Sequence, residues 1–385
     1  MIYDFYANFQ IDTKNLRKSR EEIDELTVGS GKYSEINDTL SRIMLLTTAY
    51  TIKNKLPDRR GRPNKIDPDV YAKVGEGDHP TGLKAIIHSR GNYNDYLQCK
   101  LSELYVLNII SSVDLSFLPR GSWIIEFPIT LTKPFISKDD IPLYIIENPV
   151  RKDGVFGVPF TSAMTWKGNL RWTMMKIFLE KQETLNDPDK FARLRFQHTL
   201  LFGTEKGWGE IKGWTDYLDN ICPDAKERHI YMLKEKFNNN NVKDLHIRGM
   251  LHFYPTFWDK IDMIIINPHD RRTKTGKNPI YFEVVPAGAN GVFRLVYVPF
   301  YWLGLSEDEL RKKVIGDLKG VIDGIREMML TYGFSSKKSS GFGMIEDRWD
   351  RRESRVEVKG FCDAQMFGNF EELTEIVDKW WYKNE

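Results

Sequence analysis

The sequence predicts an α+β protein: a mostly helical N-terminal region, then a core in which strands and helices alternate. Three observations carry this. Apolar residues keep helical spacing through much of residues 34–111. Composition changes at Pro119-Arg120-Gly121, after which Ser122–Leu131 (S-W-I-I-E-F-P-I-T-L) is β-rich and partly alternating. The most regular amphipathic pattern of the chain, opened by Ser306-Glu307-Asp308-Glu309, falls late, between two β-rich stretches.

Taken in order, Tyr3, Phe5 and Phe9 suggest a short opening strand. Ile36, Leu40, Ile43, Met44 and Tyr50 predict a helix, followed by the basic, Pro/Gly-punctuated stretch Lys53–Lys65. Such a stretch suits a solvated loop or an RNA-backbone contact equally. A second helix is predicted over Asp95–Ser111. Residues 1–120 thus read as a mostly helical extension, and residues 121–385 as the core domain. Its first strand is Ser122–Leu131, and a loop with Asp139 and Asp140 leads to Glu147–Gly154 (E-N-P-V-R-K-D-G). The stretch Val158–Trp172 turns through Thr161, Ser162 and Thr165 into a helix that runs to about Lys181. Residues 183–245 read as a polar insertion with helical pieces, a surface excursion.

Strands are predicted at Gly249–Phe257 and Asp262–Ile266, then a loop, Ile266–Pro279, that holds His269, Arg271, Arg272, Lys274 and Lys277. Ile280–Val285 and Val292–Val298, with the turn Pro286–Gly291, predict a hairpin. The capped helix carries Leu310, Val314, Leu318, Ile322, Ile325 and Met329 on one face and stops at Gly333. The loop Phe334–Ile345 (F-S-S-K-K-S-S-G-F-G-M-I) then feeds a short strand. A hairpin-like strand near Arg355–Lys359 and a helix from Asn369 through Trp381 close the chain. From residue 121 the order is strand, helix, insertion, strands, helix, glycine loop, strand. That is the βαββαβ split pattern of a ferredoxin-like (RRM-like) fold.

Composition narrows the function classes. The net charge of +2 comes from 56 basic and 54 acidic residues, so an anionic partner must be met by local clustering. The three cysteines, Cys99, Cys222 and Cys362, have no metal-ligand or disulfide spacing, which favours a reducing compartment. Neither a signal-peptide pattern nor a membrane-length apolar run is read, so a cytoplasmic protein is expected. No cofactor, metal cluster, nucleophile triad or P-loop is read.

The cations that cluster are Lys167 and Arg171 at the start of a helix, with Thr165 and Gly168 beside them. A helix N-terminus leaves N–H groups unpaired, and a glycine lets a phosphate approach. The same residues also suit an ordinary capped helix with solvated cations. The second cluster is Lys337, Lys338, Ser339, Ser340, Gly341, Phe342 and Gly343. Backbone N–H groups of such a loop can form an anion nest, and its serines can donate to phosphate oxygens. Phe342 suits a stacked base or a core plug equally. Trp166 and Trp172 read as core, and His252 as a satisfied structural residue.

Three stretches in this order resemble the RAMP superfamily of repeat-associated CRISPR proteins. Ala163–Arg171 (A-M-T-W-K-G-N-L-R) is similar to its small-Ser-Ser-aliphatic-Lys-Gly-x-x-Arg segment. Glu147–Asp153 (E-N-P-V-R-K-D) is similar to the acidic-x-Pro-Val-x-x-Asp stretch of type III backbone subunits. Lys337–Ile345 resembles the glycine-rich loop before the last strand. The loop I-N-P-H-D-R-R, followed by P-I-Y-F-E-V-V-P-A-G, resembles the subunit that caps the guide's 3′ end in Cmr-type complexes. The resemblance covers roughly residues 121–346.

It implies a subunit of a type III effector that binds guide RNA (crRNA) in antiviral defence and contacts neighbouring subunits, with target RNA as a further candidate partner. Thr165, Lys167, Gly168, Arg171, Lys337, Lys338 and Ser339–Gly343 would hold the RNA backbone on one face, with His269, Arg271 and Arg272 as further contacts. Glu147 occupies the position of the Asp that promotes cleavage by 2′-hydroxyl attack in target-cleaving members. An endoribonuclease, 2′-hydroxyl-mediated or metal-assisted, is therefore the alternative, and Glu147, Asp139 and Asp140 read more simply as solvated loop charges. A protein–protein scaffold without RNA contact is a third reading.

Overall fold

The structure, a computed structural model, describes residues 8–11, 16–55, 82–88, 93–139, 144–204, 214–241, 245–267, 272 and 280–382. Four helices come first: α1 (Leu16–Val28), α2 (Thr39–Lys55), α3 (Gly82–His88) and α4 (Tyr93–Val106). Helix α1 is not among the expected elements, although Leu16, Ile23 and Leu26 keep helical spacing. Phe9 lies in a short helical turn and is buried, not in a strand; Tyr3 and Phe5 lie outside the described residues. Helix α4 stops short of Ser111 because Asn108 takes a left-handed conformation, φ 63°. Most of Lys53–Lys65 lies outside the described residues.

The core sheet begins with β1 (Trp123–Thr130), and the two-residue β2 (Phe160–Thr161) leads into α5 (Ala163–Met174). Four more helices follow: α6 (Gln182–Leu185), α7 (Pro188–Phe202), α8 (Trp214–Ile221) and α9 (Lys226–Phe237). Next come β3 (Leu251–Phe253), β4 (Thr256–Phe257), β5 (Asp262–Ile266), β6 (Ile280–Val284) and β7 (Asn290–Tyr297). The chain ends in α10 (Glu307–Glu327), β8 (Arg355–Val358), β9 (Cys362–Gln365) and α11 (Phe370–Tyr382). The five-stranded sheet has the order β3-β7-β1-β8-β9, and every neighbouring pair is antiparallel.

Period-two alternation on β1 explains the layering. Trp123, Ile125, Phe127 and Ile129 point into the main core, which α5, α10 and α11 close with Trp166, Leu170, Val314, Leu318, Phe370 and Leu373. Trp123 stacks on Tyr297 with ring centroids 4.9 Å apart. Helix α10 keeps its predicted face buried, and the Ser306 N–H and hydroxyl donate to the Glu309 carboxylate at 3.3 and 2.7 Å. Asn369 caps α11 by accepting from the Glu372 N–H at 2.8 Å.

The opposite sheet face is covered too. Leu115 packs on Ile124, Val296 and Val298, with Val113 and Leu118 beside it. Arg294 pairs with Glu126 across the strands and donates to the Ile110 carbonyl at 3.3 Å. The outward side chains of β1 and β7 include no aromatic ring.

Three expectations are corrected. The hairpin over residues 280–298 does not form: β6 pairs with β5, whereas β7 pairs with β1 and β3. Apolar alternation marks both stretches as strands but does not choose their partners, and β7 gains more by completing the buried sheet. The glycine loop does not feed a strand; Ile345 makes a single bridge to Leu131, and the strand beyond it is β8. The stretch 183–245 is more than a surface excursion, since Leu200, Leu201 and Phe202 of α7 enter the main core.

Candidate nucleic-acid interface

The interface is built around α5. Ser162 is its N-cap, accepting from the Thr165 N–H at 3.2 Å, with the two hydroxyls 2.9 Å apart. With about 100° between successive residues, Trp166, Leu170, Thr173 and Met174 face inward, and all four are buried. Met164 and Gly168 form the exposed crest. Thr165, Asn169 and Trp172 fall on one flank, Lys167 and Arg171 on the other.

On the first flank lies the glycine loop. Asn169 Nδ2 donates to the Phe334 carbonyl at 3.3 Å, and the Lys338 ammonium sits 4.6 Å from the Trp172 ring centroid. Trp172 is half-buried, packed against the smaller buried cluster of Met175, Leu179 and Phe191 and edge-on to Tyr332 at 5.2 Å; Trp166 is fully buried as expected. Lys337 is exposed, takes a left-handed φ of 61°, and reaches the Phe282 ring at 5.4 Å. Burial lowers the Lys338 pKa. Ser339 and Ser340 are exposed, and Phe342 is half-buried outside the main core.

The loop's backbone is largely committed to its own closure. Ser340 N–H donates to Lys337 (2.9 Å), Gly341 N–H to Lys338 (2.8 Å) and Gly343 N–H to the Pro134 carbonyl (3.0 Å). At Gly343, φ is +73° and a Cβ would lie 2.6 Å from the Ser335 nitrogen, so only glycine fits. The anion nest suggested by the sequence is thus closed at three of its amides, and this loop offers an anion mainly side-chain ammonium and hydroxyl groups.

The second flank reaches the residue pair after α7 instead. Arg171 donates to the Thr204 carbonyl at 3.4 Å. Burial, then Arg171, lowers the Lys167 pKa. The single face expected for Lys167 and the glycine loop therefore does not form: they border the same helix from opposite sides, across Gly168. At Gly168 an added Cβ would meet nothing within 4 Å, so no neighbouring group in the chain requires a glycine there.

Residues that flank the three motif stretches are bonded to one another. The Ser335 hydroxyl accepts from the Ile136 N–H (2.7 Å), and the Ser336 N–H donates to the Ile136 carbonyl (3.2 Å). The Arg151 N–H donates to the Ser137 carbonyl and the Phe160 N–H to the Arg151 carbonyl, both at 3.1 Å, just before α5. The Glu147–Asp153 stretch is itself held by a buried ion pair between Lys152 and Glu283, in which side-chain exposures are 7% and 0%. Tyr144 also donates to Glu283, and the Val150 N–H reaches it at 3.2 Å. Burial, then Glu283, pushes the Tyr144 phenol well up. Sequence reasoning misses Glu283; the signal available is a lone acid inside the apolar run I-Y-F-E-V-V.

Glu147 is exposed on the loop beside β6, next to Asn148, whose side chain donates to the Tyr281 carbonyl at 3.2 Å. Arg272 is exposed, and His269 and Arg271 lie outside the described residues. His252 is not the satisfied residue expected: its Nε2 is buried without a hydrogen-bond partner. Among the described residues no group of His, Cys, Asp and Glu is arranged to hold a metal ion, and no helix is long and apolar enough to cross a membrane.

No family model matches the sequence, and no curated protein does. Solved structures are similar at low identity. A chain of the type III-B Cmr-beta complex bound to cognate target RNA is 12% identical, with 88% of this chain and 99% of that chain covered and a TM-score of 0.41. A chain of the Csm3-Csm4 subcomplex in the type III-A CRISPR-Cas interference complex is 13% identical, covering 68% and 96%, with a TM-score of 0.34. A chain of a CRISPR RNA-guided surveillance complex is 12% identical, covering 60% and 70%, also at 0.34. The structures this chain is similar to thus include chains of type III CRISPR complexes.

Proposed function

We propose that this protein is a guide-RNA-binding, structural subunit of a type III CRISPR effector, acting in the cytoplasm by assembly. One observation carries the reading: residues in or flanking three stretches that each resemble a RAMP motif are hydrogen-bonded around α5, Asn169 to Phe334, Ser335 and Ser336 to Ile136, and Arg151 to Ser137. The core is read as a ferredoxin-like βαββαβ unit, because β3-β7-β1-β8 with α5 after β1 and α10 after β7 follows that connectivity. Residues 1–120 are read as the helical extension and 121–385 as the RAMP unit with its insertion.

Because the outer sheet face is covered, the RNA is assigned to the α5 crest and the glycine loop, not to a stacking platform on the strands. Lys337, Lys338, Ser339 and Ser340 would hold phosphates, and Phe342 a base. Gly168 supports the same surface. An exposed glycine inside a helix costs about 1 kcal/mol relative to alanine, and a backbone approached by a phosphate from outside the chain gives that cost a purpose. Contacts of this kind hold any guide, since they read no sequence.

The test is binding of an unstructured 30-nucleotide RNA to the full chain over a range of salt. The Lys337→Ala/Lys338→Ala protein is expected to bind more weakly, with the slope of log K against log salt flattened by about 0.7 per phosphate interaction removed. Parent-like binding would remove the loop from the interface. In the assembled complex, Glu147→Ala is expected to leave cleavage of complementary RNA unchanged; loss of cleavage would instead establish the endoribonuclease alternative.

A further inference from the structure

The α5 flank that faces away from the glycine loop leads to a cluster that no sequence motif marks. His252, on the edge strand β3, opposes Val296 and so lies on the outer side of the sheet. Its ring is edge-on to Phe300, centroids 5.7 Å apart, and the exposed Arg248 holds its guanidinium 5.5 Å from the Phe300 ring. Tyr301 fixes this corner by donating to the Arg248 carbonyl at 2.8 Å. Burial, then Arg248, then Lys167, lowers the His252 pKa.

Among the described residues Lys167, Arg248 and His252 make no ion pair with a carboxylate. The Arg248 guanidinium and a buried, unpartnered ring nitrogen therefore flank one aromatic ring, 36% exposed, without a carboxylate counter-charge. Ordinary surface cations are interspersed with acids, as they are elsewhere on this chain. A site that gathers cations around an unsatisfied nitrogen is suited to an anion supplied from outside. The neighbouring ring suits a base stacked beside the Arg248 guanidinium better than it suits a free phosphate.

We propose that the Arg248–His252–Phe300 corner is a second phosphate-and-base site for the same RNA strand, which passes over α5 at Gly168 between the glycine loop and the β3 edge. This rests on the RNA-binding reading above but concerns residues that reading does not use. Lys167 is then the link between the two sites.

The experiment extends the salt titration, with the same 30-nucleotide RNA and the full chain, to Arg248→Ala/His252→Gln. Weaker binding is expected, with the salt slope flattened by about 0.7 for each phosphate interaction removed. Phe300→Ala is expected to weaken binding at every salt concentration without flattening the slope, because stacking releases no counter-ion. If Lys337→Ala/Lys338→Ala loses affinity while Arg248→Ala/His252→Gln binds like the parent, the corner is not an RNA site and the function reading stands. If the corner variant weakens and the loop variant does not, the loop assignment falls and the corner remains. A parent chain that binds no RNA overturns both, as would tighter binding of a phosphopeptide than of RNA at this corner. Thermal melts check folding; should His252→Gln melt early, Arg248→Ala alone, a change at an exposed side chain, decides the outcome.

Discussion

Lys152 and Glu283 show how single residues anchor this interface without touching a ligand. Glu283 sits in β6, and Lys152 in the loop before α5, so their contact locks two distant segments together. Both are almost wholly buried, and removing one partner leaves a charge stranded away from water. Lys152→Ala is expected to cost about 3–5 kcal/mol of stability, read from urea unfolding. His252 gives a pH dependence of known sign. Its folded-state pKa lies below the ordinary value of 6.5, chiefly through burial and also through Arg248 and Lys167. The unfolded chain therefore binds the proton more readily, and this contribution to stability is lost as pH falls from 6.5 through the folded-state pKa. Melting midpoints of His252→Gln should decline less over that interval than those of the parent; equal declines would show that His252 is not the group responsible.

At the scale of elements, the two glycines of the interface should respond in opposite ways. Gly168→Ala fills open space within a helix and should stabilise the protein by about 0.5–1 kcal/mol, yet weaken RNA binding if the strand crosses there. A variant that melts higher and binds as before would place the RNA elsewhere. Gly343→Ala forces a Cβ into Ser335 at positive φ, and a loss of about 1–3 kcal/mol is expected. Helix α5 explains why a cluster that looks single in sequence divides in space. Lys167 and Arg171 are one turn apart and share a flank, but the 100° step turns that flank away from Asn169 and Trp172, which meet the loop.

Across the whole molecule, the N-terminal helices share a core with the sheet domain. Tyr93 donates to the Gly157 carbonyl at 2.7 Å, and Tyr96 to that of Phe156 at 2.9 Å. Burial and nearby carboxylates push the Tyr96 phenol up to about 12. The end of α4 and the following turn leave Tyr105, Val106, Leu107, Ile109 and Phe117 exposed. Exposed apolar side chains close together in sequence suit a neighbouring protein surface, in line with the proposed assembly. Leu107→Ser/Ile109→Ser should change stability by less than about 0.5 kcal/mol per site while reducing co-purification of neighbouring subunits. Undiminished co-purification would exclude this surface.

Local physics makes much of this protein legible in its sequence. The Ser162 cap, the α10 face from Leu310 to Ile325, the Asn369 cap and the alternation on β1 are short-range patterns, and each appears where its residues place it. Partner choice is a long-range property. Ile280–Val284 and Asn290–Tyr297 both read as strands, and only competition for the buried sheet decides that one joins β5 and the other β1. The same holds for the interface. The sequence by itself determined its residue types, its cap and its glycines. The tertiary structure alone decided that three of the loop's amides are spent, that Lys167 lies on the flank away from the loop, and that Arg248, His252 and Phe300 meet. Those outcomes depend on contacts between segments far apart in the chain, which no local spacing encodes.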